Sequence, residues 1–137
     1  MELERRRVAT EKTLKRFRGK VFAWNTGVHC VRLFHQHLKN MGRKPPSLPR
    51  VRSPLGAKRA LKERGWKSVE AMLDSMLERI APAEMMLGDV AIVPGDAGLD
   101  AIFVCAGPLK VFGWREDAPA LVLLDIGLDE LTGAWRV

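Results

Sequence analysis

A cysteine at the start of a helix is where residue type and position in this 137-residue sequence combine to suggest covalent chemistry. Cys30 follows Phe22-Ala-Trp-Asn-Thr-Gly-Val-His29, an aromatic pair and a polar-Gly turn, and leads into Val31-Arg-Leu-Phe-His-Gln-His-Leu38. A helix N-terminus carries about half a positive charge, which lowers a thiol's pKa and favours the nucleophilic thiolate. A cysteine hydrolase also needs a base that reaches the sulfur from another element. All three histidines, His29, His35 and His37, lie in or beside this segment, and none follows residue 37. His37 shares the face of Cys30 but stands seven positions on, about 10 Å along the axis. His35 points to another side. The helix thus supplies a seat for a nucleophile without an evident base. Two readings stay open for Cys30: a nucleophile, or a small apolar residue on the core-facing stripe.

A metal site formed by Cys30 with the histidines is not expected. His35 and His37 are two apart and diverge by about 160°, so the usual i, i+4 ligand pair is missing. No cofactor motif occurs, and none is expected.

The elements that would position Cys30 follow from periodicity. A first helix spans about 2–18, with Leu3, Val8, Leu14 and Phe17 as its sparse apolar side and Gly19 as its end. A second runs from about His29 to Met41, with Cys30, Phe34, Leu38 and Met41 on one face. Residues 43–54 carry four prolines and read as an extended loop. A short helix follows over 55–64. Ser68 then caps another over 69–81, whose buried stripe would be Met72, Leu73, Met76, Leu77 and Ile80. After Pro82 the period drops to two, in runs Asp89–Pro94, Asp100–Ala106, Leu109–Trp114 and Leu121–Ile126. Gly95-Asp-Ala-Gly98 and Gly107-Pro108 are the turns between the first three. This is an α+β layout in one domain over 1–137: an N-terminal helix to 20, a helical half over 21–81 and a β-rich half over 82–137.

Charge divides the same way. Residues 1–80 hold 20 Lys/Arg against 7 Asp/Glu, and residues 81–137 hold 3 against 9. The basic residues are dispersed and form no nucleic-acid motif, so direct nucleic-acid binding is not the favoured reading. No window approaches the roughly 18 apolar residues of a membrane span, and the N-terminus does not read as a secretory signal. Cys30 and Cys105 do not make a disulfide framework, and a reduced cytosolic state during synthesis is expected.

Taken in order, these pieces resemble the NlpC-type branch of the papain-like cysteine peptidases, and more closely its divergent members encoded in phage tail-gene clusters. The carriers are Phe22-x-Trp24-x-x-Gly27-x-x-Cys30 entering a helix, Leu87-Gly-Asp-Val90 opening a strand, the strands Asp100–Ala106 and Leu109–Trp114, and Ala134-Trp-Arg-Val137. They span nearly the whole chain from residue 10. The resemblance implies a papain-like fold with helices packed on a C-terminal antiparallel sheet and Cys30 at the nucleophile position. It also marks departures. His29 stands where the family often has Asp, and Asp100-Ala-Ile-Phe-Val-Cys105 stands where a strand beginning His-x-Gly-Ile-Tyr supplies the base. The resemblance puts Asp100 or a neighbour at the base position, and a carboxylate's pKa lies too far below a thiol's for efficient deprotonation. Nothing suited to orienting a base falls near Val111–Trp114.

The resemblance thus leads to an expectation: a catalytically degenerate peptidase fold serving as a structural component of a phage or prophage tail tip or baseplate. Its partners would be other tail proteins, with a homo-oligomer possible within the tail, and its place the virion tail after assembly in the host cytoplasm. Pro45, Pro46 and Pro49 of the loop and Trp135 and Arg136 near the chain's end are the expected contact residues, a terminal Trp needing to dock against the domain or a partner. The alternatives are an active cysteine hydrolase cutting peptidoglycan peptides with Cys30, and a basic nucleic-acid-associated module.

Overall fold

Two serines set where helices begin: the Ser53 hydroxyl accepts the Gly56 amide at 3.0 Å and the Ser68 hydroxyl the Ala71 amide at 3.0 Å. The computed structural model describes residues 2–47, 50–95, 98–115 and 118–137. Among these the α-helices are α1 (Glu2–Phe17), α2 (Cys30–Asn40), α3 (Pro54–Glu63) and α4 (Val69–Met76). The strands are β1 (Glu78–Ile80), β2 (Val90–Val93), β3 (Ala101–Gly107), β4 (Lys110–Arg115), β5 (Ala118–Asp125) and β6 (Gly133–Arg136). They pair antiparallel throughout, in the order β1-β6-β2-β3-β4-β5. The α+β fold with helices against an antiparallel sheet is the expected one. Pro49 and the Asp96-Ala97 pair of the expected turn lie outside the described residues.

Alternation along the strands sorts side chains to two faces. Ile102 and Val104 of β3, Phe112 of β4 and Trp135 of β6 join the main core with Leu33, Phe34 and Leu38 of α2 and Leu73 of α4. Phe103, Val111, Ala134 and Leu131 make a smaller layer behind the sheet. Each fully buried aliphatic or Phe side chain contributes about 1.5–3 kcal/mol, so the α2 stripe is a principal fastening of helix to sheet. Gly113 is required on the far face: a Cβ there would come 2.5 Å from Phe103 Cδ1.

Three expectations are corrected. The buried side of α1 is Arg6, Ala9, Thr10, Thr13 and Phe17, while Leu3 and Val8 face solvent. Small and hydroxyl-bearing residues let α1 approach α2 closely, and their spacing follows the helical period as well as the apolar set does. The helix from Ser68 ends at Met76, not at 81. Glu78–Ile80 instead forms β1 because the edge of β6 offers it backbone partners, pairing Glu78 with Arg136 and Ile80 with Ala134. Trp135 is not a partner contact. It is fully buried, its indole N–H donates to Asp74 Oδ1 at 2.8 Å, and the Arg79 guanidinium lies 5.0 Å over its ring.

Asp89, just before β2, gathers the two ends of the chain. Its carboxylate, fully buried, accepts the Met86 amide at 2.8 Å, the Val137 amide at 3.0 Å and Arg6 Nη1 at 3.1 Å. Arg136 Nε lies 3.1 Å from its other oxygen, while the rest of that side chain stays partly exposed. Arg6 completes its own set on the carbonyls of Leu87 and Val137 at 2.9 and 2.7 Å. A buried carboxylate with this many donors is held without an unmet lone pair. Sequence reading assigned Asp89 to nearby amides and missed Arg6, which is 83 residues away.

Candidate active-site cleft

The segment before Cys30 is stitched to the sheet's far edge. The Gly19 amide donates to Leu121 O, the Leu121 amide to Lys20 O, and the Phe22 amide to Pro119 O. Trp114 Nε1 adds a bond to Lys20 O at 2.8 Å. Ala23 and Val28 then close on each other through a pair of backbone bonds around a 3-10 turn, Trp24–Thr26, and Gly27 takes the left-handed φ of 77° that this turn requires. Phe22 packs edge-on to Trp24 and Trp114 at 5.5 and 5.9 Å. The aromatic pair of the motif therefore sets the angle at which the chain enters α2.

His29 is the N-cap of α2. Its Nδ1 accepts the Arg32 amide at 3.3 Å, and its ring stacks on Trp24 with centroids 5.0 Å apart. Burial, with the nearby Arg32 charge, lowers its pKa to about 4. The neutral ring therefore spends its one acceptor on the helix cap and carries its hydrogen on Nε2. That arrangement leaves no lone pair to take a proton from Cys30.

Cys30 is the first residue of α2, partly buried, and its thiol donates to the Asp100 carbonyl oxygen at 4.0 Å, at the entry to β3. Burial pushes the thiol pKa up, against the backbone amides of Ile102, Cys30 and Val31, and the Asp100 charge adds to the rise. This corrects the expectation of a depressed pKa. The helix-terminus effect is present, but desolvation of the thiolate outweighs it. The Asp100 carboxyl is itself raised, by burial first and by Glu70 second.

The other histidines hold the scaffold. His37, with no exposed surface, donates from Nε2 to the Gly88 carbonyl at 2.8 Å and accepts at Nδ1 from the Thr13 hydroxyl at 2.8 Å, tying α1, α2 and the approach to β2. Burial lowers its pKa to about 4. His35 donates from Nε2 to Pro46 O at 2.9 Å and so holds the Pro-rich loop against α2. Among the described residues no three His, Cys, Asp or Glu side chains converge to hold a metal ion, and no helix is long and apolar enough to cross a membrane.

Cys30, His29 and Asp100 line one cleft of about 850 Å³, which Pro45 and Pro46 also border. The structure thus brings the expected nucleophile and base positions together through the sheet-to-helix contact. It separates them from Trp135 and Arg136, which belong to the β1–β6 side. A second cavity that the sequence reading did not find lies beside this cleft, with several cationic side chains on its walls.

The fold has close counterparts among solved structures. A Staphylococcus aureus protein similar to lipoproteins of the NLP/P60 family superposes with a TM-score of 0.62 at 18% identity, over 98% of this chain and 41% of that one. The P60 domain of an antigen from M. avium paratuberculosis gives a TM-score of 0.63 at 15% identity, over 99% and 95%. The NlpC/p60 domain of the peptidoglycan hydrolase SagA gives 0.61 at 12% identity, over 96% and 98%. The chain thus spans under half the length of the staphylococcal protein and nearly all of the two isolated domains. At these identities the likeness establishes an NlpC/p60 fold, similar to that of peptidoglycan hydrolases. No curated protein matches the sequence. A family described as a domain of unknown function, DUF6950, matches residues 1–137.

Proposed function

The chain belongs to the DUF6950 family, and we propose that it is a non-hydrolytic form of the NlpC/p60 fold, serving as a structural component of a phage or prophage tail tip or baseplate. The observation that carries the non-hydrolytic part is the set of groups around Cys30. No histidine stands on β3, and burial pushes the Cys30 thiol pKa up. His29 has given its lone pair to the Arg32 amide, and His35, which also lines the cleft, is bonded to the Pro46 carbonyl. Nucleophilic catalysis by cysteine needs the thiolate and an adjacent acceptor, and this arrangement supplies neither.

The tail reading rests on the likeness of the Phe22–Cys30, Leu87–Val90 and Ala134–Val137 segments to domains of phage tail-gene clusters. The division of charge between residues 1–80 and 81–137 supports docking among unlike partners. The partners would be other tail proteins or further copies of this chain, met in the host cytoplasm and retained in the virion. Pro45 and Pro46, held by His35, form a pre-ordered contact element whose fixed φ angles reduce the entropy lost on docking. Mass spectrometry of purified virions tests this directly: the chain is expected among the tail proteins, and its absence there removes the reading.

A second reading, an active cysteine hydrolase, is favoured by one observation: Cys30 opens onto a cleft of substrate size. Incubation with peptidoglycan stem peptides separates the two. We expect no cleavage. Turnover that Cys30→Ser abolishes, with the fold intact, would establish the hydrolase.

A further inference from the structure

We propose that the cavity beside the cleft binds the terminal phosphate or pyrophosphate group of a small ligand. It has a volume of about 500 Å³ and lies between the end of α1, the 25–28 turn, the first turn of α2 and residues 50–52. Arg16, Lys20, Arg32, Arg50 and Arg52 line it, and no acidic residue does. Arg5, Arg6, Arg7 and Arg79 of the helical half are ion-paired with carboxylates. The five cations of the cavity have no such pair among the described residues.

Their convergence is built by three segments that the fold itself fixes. Arg16 and Lys20 are held along the Phe17 ring, at 5.8 and 5.6 Å from its centroid, so their charges are set on one wall. Arg32 projects from the helix turn that His29 caps, and Arg50 and Arg52 come from the far side. Like charges gathered in one concave site repel one another and focus a positive potential into it. A multiply charged oxyanion relieves that repulsion, and guanidinium forks match phosphate oxygens in pairs. One carboxylate would leave most of the charge unanswered. A recess of about 500 Å³ has room for the end of a ligand and not for the length of a polymer backbone.

The cavity shares His29 and Val51 with the Cys30 cleft, so a ligand held by its phosphate would have its remainder directed toward that cleft. The proposal is independent of whether Cys30 is catalytic. Calorimetric titration of the full chain with inorganic pyrophosphate at low salt tests it. Binding is expected, with a loss of at least tenfold in Arg32→Gln/Arg50→Gln. Arg59→Gln/Lys62→Gln, which removes the same charge from the exposed side of α3, should change it less than twofold. An oligonucleotide without terminal phosphates should fail to displace pyrophosphate. No binding of pyrophosphate, equal losses in the two double variants, or displacement by the oligonucleotide would overturn the site.

Discussion

The Asp89 cluster and the Cys30 cleft are both polar sites where a helix meets the sheet, and they are built in opposite ways. At Asp89 both carboxylate oxygens are answered, by two amides and two arginines, and Arg6 in turn bonds two carbonyls. At Cys30 the titratable groups stand close but do not engage each other's side chains. Cys30 bonds a backbone carbonyl, His29 a backbone amide, and the Asp100 carboxyl is left raised by burial. The first site is coupled and structural. In the second, the Cys30 thiol and the His29 ring each bond a backbone group and not one another. Coupling, more than the presence of reactive residue types, is what separates the two.

The largest expected effect breaks the coupled site. Asp89→Ala strands Arg6 in a buried position and leaves the Val137 amide without its acceptor, so about 3–5 kcal/mol of stability should be lost. Urea unfolding followed by tryptophan fluorescence measures it. A loss below about 1 kcal/mol would mean that the cluster does not fasten the chain's two ends.

A smaller effect comes from His37, which belongs to the same fastening of α1 to the sheet. Its pKa is about 4 in the folded chain against 6.5 unfolded. The unfolded chain therefore takes up a proton below pH 6.5 that the folded chain refuses until about pH 4. Its contribution is fully present above pH 6.5 and is lost as the pH falls toward 4, a change of about 3 kcal/mol at one unit per 1.36 kcal/mol. His37→Gln should be less stable at pH 7.5 and should flatten that part of the stability curve, compared with the natural sequence at pH 7.5, 5.5 and 4.5. Equal slopes in the two proteins would remove His37 as the titrating group.

Sequence patterns reached the elements whose boundaries are local. The Ser68 cap, the α2 stripe through Phe34 and Leu38, and the period-two runs of β3 and β4 are all readable within a dozen residues. They failed where a distant segment decides. Glu78–Ile80 continues a helical pattern and becomes a strand because β6 lies beside it, and that pairing also draws Trp135 inside. The same limit governs the site. The position of Cys30 was legible from the helix start, and its proximity to residue 100 from the resemblance to the NlpC-type family. The direction of its pKa was not, since that depends on how much water the packed sheet excludes. The cationic cavity escaped notice because its walls come from segments spread between residues 16 and 52.

The smallest effect sharpens the uncoupled side. If Cys30 works with no other side chain, Cys30→Ser should change stability by no more than about 1 kcal/mol, the hydroxyl taking over the bond to the Asp100 carbonyl. The natural thiol should react with iodoacetamide at a rate that is low at pH 7 and still rising above pH 9, because burial holds its pKa above the usual value for a thiol. Asp100→Asn then tests the remaining link. Removing that negative charge should bring the alkylation profile slightly down in pH, because the carboxylate opposes the thiolate and does not deprotonate it. An upward shift, or a plateau reached near pH 7 that Asp100→Asn removes, would show a carboxylate-assisted thiolate. The cleft would then be coupled after all, and the contrast with Asp89 would fail.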